Sequence, residues 1–220
     1  MPGHRKTQTG RTVTLPQLER RRVYDVFQRI LHWWIAIATI LLSFTGLVAS
    51  EMEPGAGRSY LFSLHMDAGQ VFAAGLVLRI FWGFFGPVHA RWKSFWHLRE
   101  WREALRNPLA IPSADGPWGH HSHAALSYIA LYFVALAMGA TGVALSSILH
   151  GEGPLGERLL DVFTFEQLFR TVHEFGFWGV VFFVVTHVGA IIFHEYKDRI
   201  PIAQSMISGF QYRSTGSGRK

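Results

Sequence analysis

Four long stretches of the chain are apolar almost without interruption, and the polar residues gather in the segments that flank them. A bilayer core of about 30 Å needs about 20 mostly apolar residues in helical form. Four stretches meet that length, roughly Ile30 to Ala49, Tyr60 to Phe85, Ala124 to Leu149 and Phe169 to Phe193. Each is too long and too evenly apolar for an amphipathic core helix, and each contains glycine, as membrane helices tolerate. The pattern predicts an all-α integral membrane four-helix bundle over residues 23–212. Residues 1–22 read as a disordered basic arm and 213–220 as a flexible tail. A cleavable leader ending near Val48-Ala49-Ser50 is the alternative for the first span. Its apolar run is longer than a usual leader core and follows a long basic arm, which favours an uncleaved span.

Composition agrees: 16% of the 220 residues are charged, against about 25% in soluble domains. There are no cysteines, which removes disulfides, iron–sulfur clusters, thiolate zinc sites and covalently attached haem. The formal net charge of +6 first suggests nucleic acid, but its distribution points elsewhere. Arg5, Lys6, Arg11, Arg20, Arg21, Arg22 and Arg29 precede or open the first span. Arg91, Lys93, Arg99, Arg102 and Arg106 lie between spans two and three, and Lys197, Arg199, Arg213, Arg219 and Lys220 follow span four. The other two connections hold only Arg58, Arg158 and Arg170, among Glu51, Glu53, Glu152, Glu157, Asp161, Glu166 and Glu174. By the positive-inside rule both termini are cytoplasmic, in a multi-pass membrane protein. The charge is topology, and its partner is membrane lipid rather than nucleic acid. Between spans two and three, Trp92, Phe95, Trp96, Trp101 and Leu105 alternate with the basic residues. Residues 91–106 therefore read as an amphipathic helix on the cytoplasmic surface, with an aromatic-rich loop as the alternative.

The histidines carry the candidate chemistry. Ionisable groups inside a span are costly and so are functional candidates. Four qualify: His32, His65, His173 and His187. Depth pairs His32 with His187 toward the cytoplasm and His65 with His173 toward the outer face. Fourteen residues separate His173 from His187, which is ~21 Å along a helix and nearly one face. One helix then serves two stacked sites, with one partner histidine from each of two other helices. Zinc prefers three or four tetrahedral ligands, often cysteine or carboxylate; two imidazoles per level match the axial positions of a haem iron. A hydrogen bond to a neighbouring helix is the alternative for any single membrane histidine, and four that pair by depth favour ligation. Arg79, fourteen positions after His65, and Arg29 are candidate partners for haem propionates; snorkelling is the alternative for Arg79. Gly46, fourteen after His32, leaves room for a macrocycle or simply for close helix packing.

The ordered motifs Arg29-Ile-Leu-His32-Trp33-Trp34, Leu64-His65 with Ala68-Gly69, Arg79-Ile-Phe-Trp82, Gly119-His120, then His173, His187 and Ser205-Met206-Ile-Ser-Gly209 resemble the bacterial cytochrome b561 and nickel–iron hydrogenase b-type cytochrome superfamily. The resemblance covers roughly Tyr24 to Tyr212. It implies two haems b with bis-histidine ligation by His32, His65, His173 and His187. It further implies electron exchange with a quinone near the cytoplasmic haem, and with a periplasmic oxidoreductase or cytochrome subunit at the outer face. His120 and His121 are candidate quinone-site residues by this resemblance. The family often reads Gly-His-Asn-Pro there; this chain reads Gly119-His120-His121-Ser122, and a surface histidine cluster is the alternative. Two other functions are compatible with the residues: a stand-alone quinone reductase using a small reductant or superoxide, and a haem-free metal transporter. The second would normally show intramembrane carboxylates, of which Asp67 is the clear case. A homo-oligomer is compatible with either.

Overall fold

The computed structural model describes residues 18–95, 101–102, 105–107, 118, 122–151, 153, 155–159 and 163–214. Four long helices dominate: α1 (Val26–Glu51), α2 (Ala56–Phe85), α3 (Ser122–His150) and α4 (Glu166–Asp198). They hold 26, 30, 29 and 33 residues, each more than the ~20 needed to cross a hydrocarbon core. Lipid offers no hydrogen bonds, so a crossing backbone must satisfy its own groups, and a helix does so throughout its length. The predicted spans lie inside these helices, which run on by a few residues at most ends. That extra length includes Arg29 in α1 and Glu166 in α4. Many large apolar side chains face outward, among them Phe175 at 80% exposure and Phe182 at 71% on α4. Such a surface suits acyl chains as solvent, and the fold is that of a multi-pass membrane bundle.

The bundle is two helical hairpins. α1 lies along α2 and α3 along α4, whereas α2 meets α3 lightly. At the end carrying the α1–α2 and α3–α4 connections, Ser146 Oγ on α3 reaches Met66 Sδ on α2 at 3.4 Å. Asp25 caps α1 by accepting from the Gln28 backbone N–H through Oδ1 at 3.0 Å. Its Oδ2 accepts from Trp82 Nε1 at 3.2 Å, tying the start of α1 to the end of α2.

One element departs from the sequence expectation. Leu18–Arg22, placed there in a disordered arm, forms strand β1, and Phe210–Ser214 forms strand β2. The two pair antiparallel with Leu18 opposite Ser214 and Arg22 opposite Phe210, so Arg213 also belongs to an ordered strand. The Glu-Arg-Arg-Arg run has no period-two alternation, and its partner lies at the other end of the chain, so local pattern is silent about it. The ribbon puts both ends of the described chain at one end of the bundle, called here the terminal end; the opposite end is the distal one. The segment after β1 continues the link: Val23 and Tyr24 donate backbone N–H groups to the Gly209 carbonyl at 2.9 and 3.1 Å. Gly209 has φ +83°, and a side chain there would press on the Tyr24 carbonyl oxygen, so this crossing requires glycine.

The amphipathic segment is described only in part. Trp92–Phe95 is a 3-10 turn, and Trp92 does not lie on the membrane surface. Its indole turns inward, donating Nε1–H to the Ile80 carbonyl of α2 at 3.0 Å and meeting the Tyr132 ring of α3 edge-on at 5.0 Å. Gly83 of α2 leaves the space it fills. The interior therefore wins this aromatic because it offers both a ring and a backbone acceptor.

Candidate haem-ligating histidine pairs

The distal level is built twice over. His65, on α2, has its Nδ1 3.1 Å from the Leu42 carbonyl and 3.2 Å from Thr45 Oγ1, both on α1. His173, on α4, has its Nδ1 3.1 Å from the Met138 carbonyl and 3.2 Å from Thr141 Oγ1, both on α3. The two rings face each other across the gap between hairpins, with centroids 6.2 Å apart and planes at 73°. Two imidazoles on opposite sides of one metal, with metal–nitrogen bonds of about 2 Å, have centroids about 6 Å apart.

Proton positions follow from the neighbours. A carbonyl oxygen only accepts. Each threonine hydroxyl donates its own proton to a helix carbonyl, Thr45 to Leu41 at 2.7 Å and Thr141 to Ala137 at 2.8 Å, and so presents only a lone pair to the ring. Both Nδ1 atoms must therefore carry the proton and donate. In the neutral ring this leaves Nε2 with its lone pair free to bind metal, the usual arrangement around metal-bound histidine. Glycine makes the close approach possible. A Cβ on Gly46 would stand 2.9 Å from His65 Cε1, and one on Gly142 would stand 3.2 Å from His173 Cε1. The donor set, its spacing and these cradles fit an iron bound by two histidines.

The terminal level is different in kind. His32 lies on α1 and His187 on α4. The His187 ring stacks on Phe183 at 5.5 Å with planes at 10° and meets Tyr128 edge-on at 6.0 Å. His32 meets Trp33 edge-on at 5.4 Å. Tyr24, just before α1, sits close to Tyr128, and burial pushes its phenol well above the usual range, with Tyr128 adding to the rise. Gln28, one turn before His32, is buried, and its Oε1 has no hydrogen-bond partner among the described residues.

The two candidate arginines part company. Arg79 is buried at 6% exposure and spends one long hydrogen bond, 3.4 Å, on the Ala90 carbonyl. Its guanidinium lies over the rings of Trp92 and Tyr132 at 5.5 and 5.9 Å. This placement leaves further N–H donors for an anion. Arg29 instead donates through Nη1 to the Ile207 carbonyl, and through Nε to the Asp25 carbonyl at 3.4 Å. Trp33 Nε1 donates to the Met206 carbonyl at 3.0 Å. Arg29 and Trp33 thus clamp the Ser205–Gly209 segment to α1.

His120 and His121 lie outside the described residues. His150 is exposed, and His194 pairs with Asp198 at 3.1 Å near the end of α4. Asp67 is exposed on α2, two residues from His65 and so on the opposite face of the helix. Among the described residues no three or more His, Asp or Glu side chains form a group that could hold a metal ion, and His65 meets His173 as a pair.

Thr45 and Thr141 were not identified from the sequence, nor were Gln28 and Tyr128. A signal for the threonines exists: Thr45-Gly46-Leu47-Val48 in span one recurs as Thr141-Gly142-Val143-Ala144 in span three.

Fold and site together define a multi-pass helical membrane bundle in which His65 and His173 meet between the two hairpins. The chain belongs to the prokaryotic cytochrome b561 family, whose model matches residues 23–209, and membership implies b-type haem. It is 30% identical to a "Probable Ni/Fe-hydrogenase B-type cytochrome subunit" of Rhizobium leguminosarum bv. viciae, over 85% of this chain and 87% of that protein. A protein of the same name from Bradyrhizobium diazoefficiens is 31% identical, over 85% of this chain and 84% of its own length. The "Probable Ni/Fe-hydrogenase 1 B-type cytochrome subunit" of Escherichia coli K12 is 26% identical, covering 88% and 92%.

Proposed function

We propose that the chain is a di-haem cytochrome b of the bacterial inner membrane, with both termini cytoplasmic, passing electrons between a periplasmic hydrogenase-like oxidoreductase and the quinone pool. The observation that carries this reading is the His65–His173 pair, 6.2 Å apart with both Nδ1 atoms engaged by helix acceptors. Haem b, when bound, supplies reversible one-electron chemistry at each level. The remaining work falls to the chain. His65 and His173 would hold the periplasmic-side haem, and His32 with His187 the cytoplasmic-side one. Arg79 neutralises a propionate at the cytoplasmic level, while Trp92 and Tyr132 flank its guanidinium and exclude water. Charge asymmetry supports the orientation, since the basic connections join the terminal end.

Quinone exchange belongs at the cytoplasmic level. The buried Gln28 acceptor one turn from His32 suits a quinol hydroxyl, and Tyr24, one turn before Gln28, keeps its phenolic proton because burial raises its pKa. The names of the relatives support a hydrogenase-type partner at the opposite face.

Purified full-length protein, titrated by reduced-minus-oxidised absorbance, should show two b-type components. His65→Ala should remove one and leave the other; His32→Ala should do the converse. Absence of an α band in the wild type, or retention of both components in His65→Ala, sinks the reading. Co-purification of a hydrogenase-like oxidoreductase tests the partner, and its absence from an active preparation reducing quinone with a small reductant favours the stand-alone alternative.

A further inference from the structure

We infer that Thr45 and Thr141 are a matched pair of positioning residues that set the tautomer and ring orientation of the distal ligands and make the two haem sites electronically unlike. The inference rests on the bis-histidine reading above and goes beyond it to residues that do not touch the iron.

The case is the repetition. Two threonines on different hairpins place Oγ1 3.2 Å from a histidine Nδ1, and in both cases the carbonyl three residues earlier stands 3.1 Å from the same atom. Both hydroxyl protons go to the carbonyl four residues earlier, at 2.7 and 2.8 Å. Such back-bonding is common for threonine in helices and slightly unfavourable for the helix itself. Here it has a consequence beyond the helix, because it turns the hydroxyl into an acceptor and forces the Nδ1–H tautomer on its neighbour. In both cases the next residue is a glycine, Gly46 or Gly142, whose missing Cβ lets the ring in. Each Thr-Gly pair is thus a two-residue seat.

Two acceptors on one Nδ1–H draw that proton away from the ring and leave Nε2 a stronger donor to metal. A stronger donor favours the oxidised metal and lowers its reduction potential. Among the described residues neither His32 nor His187 has a hydrogen bond of this kind; their rings contact Trp33, Phe183 and Tyr128. The distal site is therefore held at a lower potential than it would have without its seats, and the terminal site lacks this control.

The test uses the full chain with its haems. Thr45→Val and Thr141→Val remove the acceptor at nearly constant shape, and Thr45→Ser and Thr141→Ser keep it. Redox titration at the α band and the g values of the low-spin ferric signals are read for each. The Val variants should raise the midpoint of the distal component, the double variant by more than either single one. The terminal component should stay in place, and Ser should restore the distal midpoint. Selective loss of the distal haem in a Val variant that Ser rescues also supports the assignment. Unchanged midpoints and g values in the double Val variant overturn it, and so does an equal shift of both components, which would mark a general packing effect. A wild-type chain with no haem fails the earlier reading instead and is seen before any variant is made.

Discussion

Replacing Gly46 by alanine should damage the distal site while leaving the fold nearly as stable as before. The new Cβ would lie 2.9 Å from His65 Cε1 and 3.1 Å from its Nδ1. Carbon atoms in contact prefer at least ~3.5 Å, so the ring must retreat by about 0.6 Å. Its Nδ1 already sits 3.1 Å from the Leu42 carbonyl and 3.2 Å from Thr45 Oγ1. Such a retreat carries both beyond useful hydrogen-bond range or swings Nε2 off axis. Both acceptors share a single Nδ1–H, so their loss counts as about one hydrogen bond, about 0.5–1.5 kcal/mol. Alanine in place of a helical glycine returns about 1 kcal/mol. The two nearly cancel in global stability, whereas disturbing the partners of a metal ligand typically costs 10–100-fold in metal affinity. The Gly142→Ala Cβ would stand 3.2 Å from His173 Cε1, needing about half that retreat, and should do less harm. Gly189→Ala meets nothing within 4 Å and lies on the face of α4 opposite His187, so it should behave as wild type. The assay is haem per chain and α-band amplitude of the distal component after purification, alongside thermal unfolding. Full distal haem in Gly46→Ala, or greater loss in Gly142→Ala, would refute the argument.

Three further outcomes follow from the packing. Gly83→Ala should displace the Trp92 indole, which gives up its bond to Ile80 and its contacts with Tyr132 and Arg79. Set against the helix gain, the loss is about 1–3 kcal/mol, and detergent-solubilised unfolding should show it together with a red-shifted tryptophan emission. Arg79→Gln removes a buried positive charge and should lower the midpoint of the terminal-level haem more than that of the distal one, because charge–charge interaction falls with distance; redox titration checks it, and an equal fall in both components would count against the placement. Trp33→Phe removes the bond to the Met206 carbonyl and should loosen the C-terminal segment by about 1 kcal/mol, seen as faster proteolysis around residues 205–214 with both haems retained.

The four spans, the sorting of charge and the depth of the four histidines were all legible along the chain. A bilayer demands apolar length, taxes every ionisable group within it and repels misplaced cations, so each requirement is written locally. The same holds for the glycine at position 46, whose helical register could be counted. The rest depended on which elements meet. Leu18–Arg22 reads as a basic arm until Phe210–Ser214 arrives beside it. Arg29 reads as an anion partner until the Ser205–Gly209 segment offers its carbonyls. Thr45 and Thr141 read as ordinary helix residues until the neighbouring helix of each hairpin brings a histidine to within 3.2 Å. Hydropathy and helical period place a residue at a depth and on a face. A hydrogen bond at Nδ1, and with it the tautomer that frees Nε2, needs two helices packed in one register, and that comes from contacts between residues far apart in the chain.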